Sequence, residues 1–273
     1  MGNYDSRFWK KNWDEGLDDL KPQEFNVSYL DLLQESFDNC ANSTAMHYLG
    51  ISVTYGELDR YSNQFANMLI DNGFKKGDVV GINLPNTPQY LIALVGTLKA
   101  GCIISGVSPL LSAEQIKYQI NDLTSSGKKA ALVTLDAIFA GHITKIAADM
   151  PNLDLIIVTN PASFLPKIKQ FLGKLLKKVP TGKVTPLAGK TILDLHKDVF
   201  QKSSVQKVDV EVKAEDVGWI QYTGGTTGPP KGAVLNHKNI SHNIKAINRW
   251  LGWDKEKGVL LSGFPIFHIA GLT

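Results

Sequence analysis

The sequence predicts an α/β fold in which a mostly parallel sheet is flanked by helices on both faces. Short runs rich in Val, Ile and Leu, at 79–84, 102–107, 130–135 and 153–159, indicate buried strands. Amphipathic helical patterns alternate with these runs, as in βαβ units. A length of 273 residues, with 43% hydrophobic and 20% charged residues, is typical of a globular chain with a substantial core.

The first elements precede the sheet. A helix is expected over Ser28 to Asn39, and the segment 47–55 is expected to form two short strands around Gly50. Thr54 with Glu57 forms a capping box for a second helix. That helix is expected to end at Gly73, with an apolar face that includes Leu58, Phe65, Leu69 and Ile70.

Each later helix starts at a recognisable residue. Thr87 and Pro88 start one that is expected to end at Gly101, and Ser112 caps the next. A further helix is expected over Ala137 to Ala148. Near the carboxyl end of the chain, Asn239 or Ser241 is expected to cap a helix that runs through Arg249.

Composition excludes several classes of protein. A net charge of +3 is too small to indicate a nucleic-acid partner. The two cysteines, Cys40 and Cys102, lie far apart without metal-type spacing, which favours a reducing cytoplasm over a disulfide framework. The amino terminus lacks the apolar stretch of a secretory signal, and no apolar run reaches the length of a membrane span.

The segment 161–190 has a different character. Apolar residues recur at helical spacing between Phe164 and Val179, with lysines among them and no acidic residue in the segment. One interpretation is a surface helix that packs its apolar stripe on the core. The other is a helix that lies on an anionic membrane or controls access of an apolar substrate, and the missing acidic residues favour it.

The chemistry is expected in the sequence YTGGTTGPPKG at 222–232, here called the glycine-rich loop. A strand over 218–223 leads into it and a second strand, 233–235, follows. Glycines let backbone N–H groups approach an anion, threonine hydroxyls bind phosphate oxygens or magnesium, and Lys231 offers a compact positive charge. This is not a Walker loop, because Lys231 precedes a strand and not a helix. A glycine-rich connection without a ligand is the alternative, but a turn needs few such residues.

The glycine-rich loop resembles the signature of the adenylate-forming (AMP-dependent synthetase/ligase) superfamily. Three further segments resemble its other motifs in the family's order: VTYGEL at 53–58, LKAGCIISGVSPL at 98–110 and FPIFHIAGL at 264–272. Most members carry Ser where this chain has Gly224. Glycine there resembles the bacterial-type long-chain fatty acyl-CoA synthetases.

The resemblance implies a function and site residues. A carboxylic acid, expected to be a medium- or long-chain fatty acid, is activated by ATP with Mg²⁺ and then joined to coenzyme A. Lys231 and Thr226 are expected to be catalytic, and His268, Phe267 and Gly271 to line the acid pocket. No cluster of protein metal ligands is expected. The expected contacts to ATP and Mg²⁺ are Thr223, Gly224, Gly225, Thr226, Thr227, Gly228 and Lys231.

The resemblance covers the amino-terminal part of the family's large domain, without its carboxyl-terminal lid. We expect this piece alone to lack ligase activity. The expected division is an amino-terminal segment (1–52), an α/β subdomain (53–160), a basic insertion (161–190) and a subdomain with the glycine-rich loop (191–273). A fatty-acyl-AMP ligase, an aryl or acyl ligase, and a non-catalytic nucleotide-binding module remain alternatives. A cytoplasmic location, membrane contact through 164–179 and a homodimer are further expectations.

Overall fold

The computed structural model describes residues 7–176, 179–224, 228–252 and 258–272. A 3₁₀ turn at Phe8–Asn12 and the short helix α1 (Pro22–Phe25) precede α2 (Tyr29–Asn39). Ser28 caps α2, since its hydroxyl accepts from the Asp31 N–H while the Asp31 carboxylate accepts from the Ser28 N–H. The expected pair of short strands is also confirmed: β1 (Thr44–Tyr48) and β2 (Ile51–Thr54) form an antiparallel hairpin.

One seven-stranded sheet forms the centre of the chain, in the order β7-β6-β5-β3-β4-β8-β9. Its first six members in chain order are paired in parallel, and β9 runs antiparallel to β8 at one edge. The predicted α/β class is therefore confirmed. The strands are β3 (Val79–Asn83), β4 (Ile103–Gly106), β5 (Ala130–Leu135), β6 (Leu153–Thr159), β7 (Thr191–Asp194), β8 (Val217–Thr223) and β9 (Lys231–Asn236).

Helices cover both faces of the sheet and bury the strands β3, β4, β5 and β6, as the apolar runs predict. On one face lie α3 (Tyr55–Asp71) and α4 (Pro88–Lys99), whose apolar side chains share a core with the inner residues of β3 to β5. On the other face lies α5 (Ala113–Leu123), which packs with the segment 136–149. None of the helices in the described ranges combines the length and the apolar character needed to cross a membrane.

Three local expectations need correction or refinement. The helix expected over Ala137 to Ala148 is confirmed as one unbroken helical run over 136–149, but its winding is irregular: α6 (Asp136–Ile138), a π-helical turn (Phe139–Ile143), α7 (Thr144–Ile146) and a 3₁₀ turn (Ala147–Asp149). This winding keeps Phe139, Ile143 and Met150 all buried, so tertiary packing overrides the regular helix. Ile70 of α3 is 39% exposed and lies outside the buried face of its helix.

The third correction concerns α9 (His237–Leu251). Asn236 caps this helix, because its side chain accepts from the Asn239 N–H. Ser241 is buried inside the helix and donates to the Val27 carbonyl, so it holds the amino-terminal segment instead of capping. The helix begins two residues before Asn239 because the chain turns into it directly from β9.

The basic segment forms α8 (Lys167–Leu175). Its apolar residues do not pack on the core: Ile168, Phe171, Leu172, Leu175 and the following Leu176 are all exposed. The interpretation of 164–179 as a core-packed surface helix is therefore wrong, except for Phe164, which lies against the core ahead of the helix. One sheet takes strands from both 53–160 and 191–273. The division into subdomains stays a prediction.

Candidate functional site

The glycine-rich loop lies between the last parallel strand and the antiparallel edge strand. β8 pairs with β4 through Trp219 and Ile104 in parallel, so both strands end at the same side of the sheet. β9 starts at Lys231 and returns along β8. The loop thus leaves the sheet at the carboxyl ends of its parallel strands, where open α/β sheets bind ligands.

Thr223 and Lys231 face each other across the base of this loop. They are register partners of β8 and β9, and the Thr223 hydroxyl lies 3.4 Å from the Lys231 carbonyl oxygen. Both residues are exposed, and within the described parts of the chain no carboxylate forms an ion pair with Lys231. The ammonium group is therefore available for an anionic ligand. Gly225, Thr226 and Thr227, also predicted to contact ATP, lie outside the described residues.

Gly224 and Gly228, two of the three described glycines of the loop, differ in whether the backbone leaves room for a side chain. Gly228 has φ +110°, a conformation that residues with a Cβ adopt only under strain. Gly224 has a φ outside the left-handed region, and a Cβ placed there meets no atom of the described residues within 4 Å. The backbone of the described residues therefore does not require glycine at position 224.

Helix α5 holds both ends of the loop, which sequence reasoning did not foresee. The Tyr118 hydroxyl donates to the Pro230 carbonyl at 3.0 Å, and the Tyr222 hydroxyl donates to the Asp122 carboxylate. Burial, with the Asp122 carboxylate beside it, raises the pKa of Tyr222 far above its ordinary value, so the phenol keeps its proton and donates. Tyr118 and Asp122 stand four residues apart and share one helix face, but no sequence signal indicated that this face meets the loop.

The segment 264–272 approaches the same sheet edge. The Phe267 carbonyl accepts a hydrogen bond from the side-chain amide of Gln221 at 3.3 Å. Gln221 lies on β8, two residues before Thr223. A Cβ on Gly106, the last residue of β4, would lie 2.2 Å from that carbonyl oxygen. Only glycine therefore lets the backbone at Phe267 come so close to β4. The glycine-rich loop and the Phe267 segment are thus brought together on β8.

Asn86 fixes the start of this segment. Its amide donates to the Phe264 carbonyl at 2.8 Å, and its oxygen accepts from the Ile266 N–H at 2.9 Å. Gly271, in the short helix α10 (Ile269–Leu272), has no room for a Cβ, which would lie 2.3 Å from the Pro265 carbonyl oxygen. Asn86 belongs to no motif singled out in the sequence, so its role emerges only from the structure.

The predicted pocket residues Phe267 and His268 differ in exposure. Phe267 is half-buried, whereas His268 is exposed. The Ala270 N–H lies 3.2 Å from His268 Nδ1, which therefore accepts and leaves Nε2 as the protonated nitrogen. A neutral ring in this form can donate a hydrogen bond from Nε2 to a carboxylate.

The charges of the site suit an anion more than a bare cation. Over the ranges that the structure describes, no three His, Cys, Asp or Glu side chains lie together as a metal site. A divalent ion would therefore have to take most of its ligands from a bound phosphate chain and water, with the Thr223 hydroxyl as a protein oxygen. The exposed ammonium group of Lys231 suits such a metal–phosphate ligand.

Comparison with known families places the chain among enzymes. The family described as "AMP-binding enzyme" matches residues 33–273. A long-chain-fatty-acid–CoA ligase of Escherichia coli O6:H1 is 31% identical over 262 residues, which cover 93% of this chain and 45% of that protein. A long-chain-fatty-acid–CoA ligase of Bacillus subtilis is 32% identical over 257 residues, covering 91% and 43%. The chain thus spans about half the length of these relatives.

Solved structures share the fold. A long-chain-fatty-acid–CoA ligase (FadD1) from Archaeoglobus fulgidus matches with a TM-score of 0.68 and 20% identity, over 95% of this chain and 46% of that one. ATP-bound MatB from Rhodopseudomonas palustris matches with a TM-score of 0.66 and 22% identity, over 91% and 42%. These matches extend the agreement in architecture to nearly the whole chain.

Proposed function

The chain belongs to the AMP-binding enzyme family, and we propose that its protein activates a medium- or long-chain fatty acid with ATP and joins it to coenzyme A. The observation that carries this proposal is the pairing of Thr223 with Lys231 at the base of the glycine-rich loop. In this pairing a hydroxyl and a cation without an ion-pair partner among the described residues stand together at the sheet edge where, in our proposal, the loop binds phosphate. The names of the relatives, long-chain-fatty-acid–CoA ligases, support the choice of acid.

In the first step a carboxylate oxygen of the fatty acid attacks the α-phosphorus of ATP. The bond from that phosphorus to the bridging oxygen breaks, and pyrophosphate leaves with the bond's electrons. The reactants are all anionic, so the site has to hold like charges together and neutralise the leaving group. Lys231 supplies that charge in our proposal, with the backbone N–H groups of the loop.

Mg²⁺ accompanies the triphosphate in this proposal. It would neutralise the phosphate oxygens, and Thr223 fits as a protein oxygen near it. Thr226 and Thr227 are proposed as further contacts, and Thr226 as a catalytic residue, on the family resemblance alone. They lie outside the described residues, as does Gly225.

The fatty acid is proposed to lie against Phe267, His268 and Gly271. Asn86, Gly106 and Gln221 support this, since together they hold the backbone of 264–267 beside the end of β8. In the second step the thiol sulfur of coenzyme A attacks the acyl carbon, the acyl–phosphate bond breaks, AMP leaves and the thiol proton is lost. His268 is assigned to the pocket lining and not to proton transfer.

A cytoplasmic location and a homodimer are also proposed, as is contact of 164–179 with a membrane surface where fatty acid is delivered. The last of these is supported by the exposure of the apolar side of α8. Light scattering of the purified protein tests the homodimer, with a mass of one chain as the contradicting result.

ATP–pyrophosphate exchange over a panel of acids tests the function itself, on the full-length protein. We expect exchange that depends on a medium- or long-chain fatty acid and on Mg²⁺. Addition of coenzyme A should release AMP and form the thioester. Exchange without any use of coenzyme A would identify a fatty-acyl-AMP ligase instead, and ATP binding without exchange would identify a nucleotide-binding module.

A further inference from the structure

We propose that the exposed side of α8, together with Leu49 at the tip of the β1–β2 hairpin, docks on an anionic lipid bilayer. We call these residues the α8 surface. It consists of Leu49, Lys167, Ile168, Lys169, Phe171, Leu172, Leu175 and Leu176. The proposal rests on the membrane contact of 164–179 proposed above and specifies its residues and the charge of the lipid; its test does not depend on ATP binding or on the proposed acid pocket.

The apolar residues of α8 form one continuous stripe. Ile168, Leu172 and Leu175 follow each other at spacings of four and three residues, and Phe171 and Leu176 widen the stripe. Their exposed fractions are 75% for Ile168, 66% for Phe171 and 64% for Leu175. A water-soluble helix normally buries such a stripe, so a stripe this exposed indicates a binding surface.

The lysines border the stripe. At helical spacing, Lys167 lies on one edge of the apolar sector and Lys169 on the other, and both are exposed. Neither forms an ion pair with an acidic side chain among the residues the structure describes. A helix with apolar residues between exposed lysines suits the boundary between anionic headgroups and acyl chains, because long lysine side chains reach outward from an apolar sector.

Leu49 extends the apolar surface from a separate element. Lys169 Nζ lies 3.5 Å from the Leu49 carbonyl oxygen, so the hairpin tip and α8 are neighbours. Leu49 has φ +47° and is 64% exposed. The left-handed conformation is unfavourable for leucine, and an exposed leucine gains nothing from burial in the fold. Contact with lipid gives this leucine the burial that folding does not.

The surface is held to the body of the protein on both sides. Before α8, Phe164 packs edge-on against Tyr61, Phe200 and His196. After it, the Asn160 amide donates to the Pro180 carbonyl at 3.1 Å and also to the Asp136 carboxylate. Gly182 lies so close to the Asp136 carbonyl oxygen that a Cβ would stand 2.1 Å from it. Described residues on both sides of α8 are therefore fixed to the body of the protein.

Charge selects the lipid bilayer over a second copy of the chain. The segment 161–190 contains seven lysines and no acidic residue. Two copies meeting through the α8 surface would bring lysines against lysines, which opposes association. An anionic bilayer offers the opposite charge and an apolar interior in one partner, and each lysine near such a surface adds to the attraction.

Co-sedimentation of the chain with vesicles tests this. Vesicles of phosphatidylcholine alone are compared with vesicles of phosphatidylcholine and phosphatidylglycerol in equal parts. The variants are Phe171→Ser with Leu175→Ser, Lys167→Glu with Lys169→Glu, and Leu49→Gly. The matched controls are Leu110→Ser, an exposed leucine elsewhere (89%), and Lys11→Glu with Lys128→Glu, which changes the net charge equally.

We expect binding to the anionic vesicles, a decrease of at least about tenfold in both double variants and of a few-fold in Leu49→Gly, and no decrease in the controls. Thermal unfolding should be unchanged in the two double variants, because the changed side chains are exposed. Equal binding of the double variants and the parent chain would overturn the proposal. So would concentration-dependent dimerisation that the Phe171→Ser, Leu175→Ser variant abolishes, since a second copy would then cover the stripe. Loss of ATP–pyrophosphate exchange has no bearing on this result.

Discussion

Tyr118 of α5 donates its phenolic hydrogen to the carbonyl of Pro230 at 3.0 Å. A helix that packs on one face of the sheet therefore also holds the end of the glycine-rich loop. Tyr118→Phe removes this hydrogen bond and leaves the ring in place. The hydrogen bond contributes about 1 kcal/mol of net free energy to holding the loop in place, so we expect its loss to weaken ATP binding roughly fivefold. Isothermal titration calorimetry with ATP and Mg²⁺ measures the change.

Tyr48→Phe is the matched control for Tyr118→Phe. The Tyr48 hydroxyl also donates to a proline carbonyl, that of Pro161, but far along the chain from the loop. We expect ATP binding in this variant to equal that of the parent chain. Equal weakening in both variants would mean that Tyr118 affects general stability and not the loop.

The loop glycines give a second prediction. Gly228→Ala places a Cβ at φ +110° and strains the loop by about 1–3 kcal/mol, so we expect ATP binding to fall by roughly tenfold or more. Gly224→Ser adds a side chain in open space, so binding should stay within a few-fold of the parent. The same calorimetric titration compares the two. A larger loss in Gly224→Ser than in Gly228→Ala would contradict the described loop geometry.

Gly106→Ala tests the link between β4 and the proposed acid pocket. The new methyl group would stand 2.2 Å from the Phe267 carbonyl oxygen, so the segment 264–271 has to move. We expect the KM for the fatty acid to rise about tenfold or more in pyrophosphate exchange, with a smaller change in the KM for ATP. Gly141→Ala is the control, since no atom lies within 4 Å of a Cβ there. Equal KM changes for both substrates would argue against a pocket at Phe267.

The pH dependence of stability gives a fourth prediction. His237 is buried, its Nδ1 accepts from the Tyr29 N–H, and its ring packs edge-on against Trp219. Burial lowers the pKa of His237 to about 4, although Asp216 and Asp31 nearby oppose this and Lys76 adds to it. The folded state therefore keeps the ring neutral while the unfolded state binds a proton near pH 6.5. Stability from this group is complete above about pH 6.5 and is lost as the pH falls towards 4, by on the order of 3 kcal/mol.

His237→Asn keeps an acceptor near the Tyr29 N–H but cannot titrate. We expect this variant to be less stable near neutral pH, because the smaller side chain leaves a cavity. Its free energy of unfolding should fall less steeply than that of the parent between pH 6.5 and 4. Parallel curves from urea unfolding at several pH values would show that His237 does not carry the dependence.

The strands and most helices could be predicted from local sequence patterns. Thr54 and Ser112 cap their helices as expected, and the structure shows the same kind of cap at Ser28, because a capping box needs only residues three apart. The irregular winding of the helical run at 136–149 was not predicted, because the burial of Phe139 and Met150 depends on the sheet beneath them. The exposure of α8 could not be predicted from its sequence either, because the same apolar spacing fits a helix packed on a core and a helix that lies on a lipid surface.

The site shows the same division between local and long-range information. The glycine-rich loop was located from its residue types, and its strand–loop–strand setting agrees with the prediction. The contacts of Tyr118, Asn86 and Gln221 join elements between 46 and 180 residues apart in the chain. No spacing rule reaches that far, so these supporting residues required the three-dimensional arrangement.

Lys231 carries the central claim, since it is the exposed cation at the base of the glycine-rich loop. Lys231→Ala removes the charge that we propose neutralises the leaving pyrophosphate, and Lys238→Ala, on the neighbouring helix α9, removes a similar charge outside the loop. The direct test is fatty-acid-dependent ATP–pyrophosphate exchange by the full-length protein and both variants. We expect Lys231→Ala to lose about a hundredfold or more of the exchange rate and Lys238→Ala to match the parent. Near-normal exchange in Lys231→Ala would contradict the assignment of the loop as the ATP-binding site.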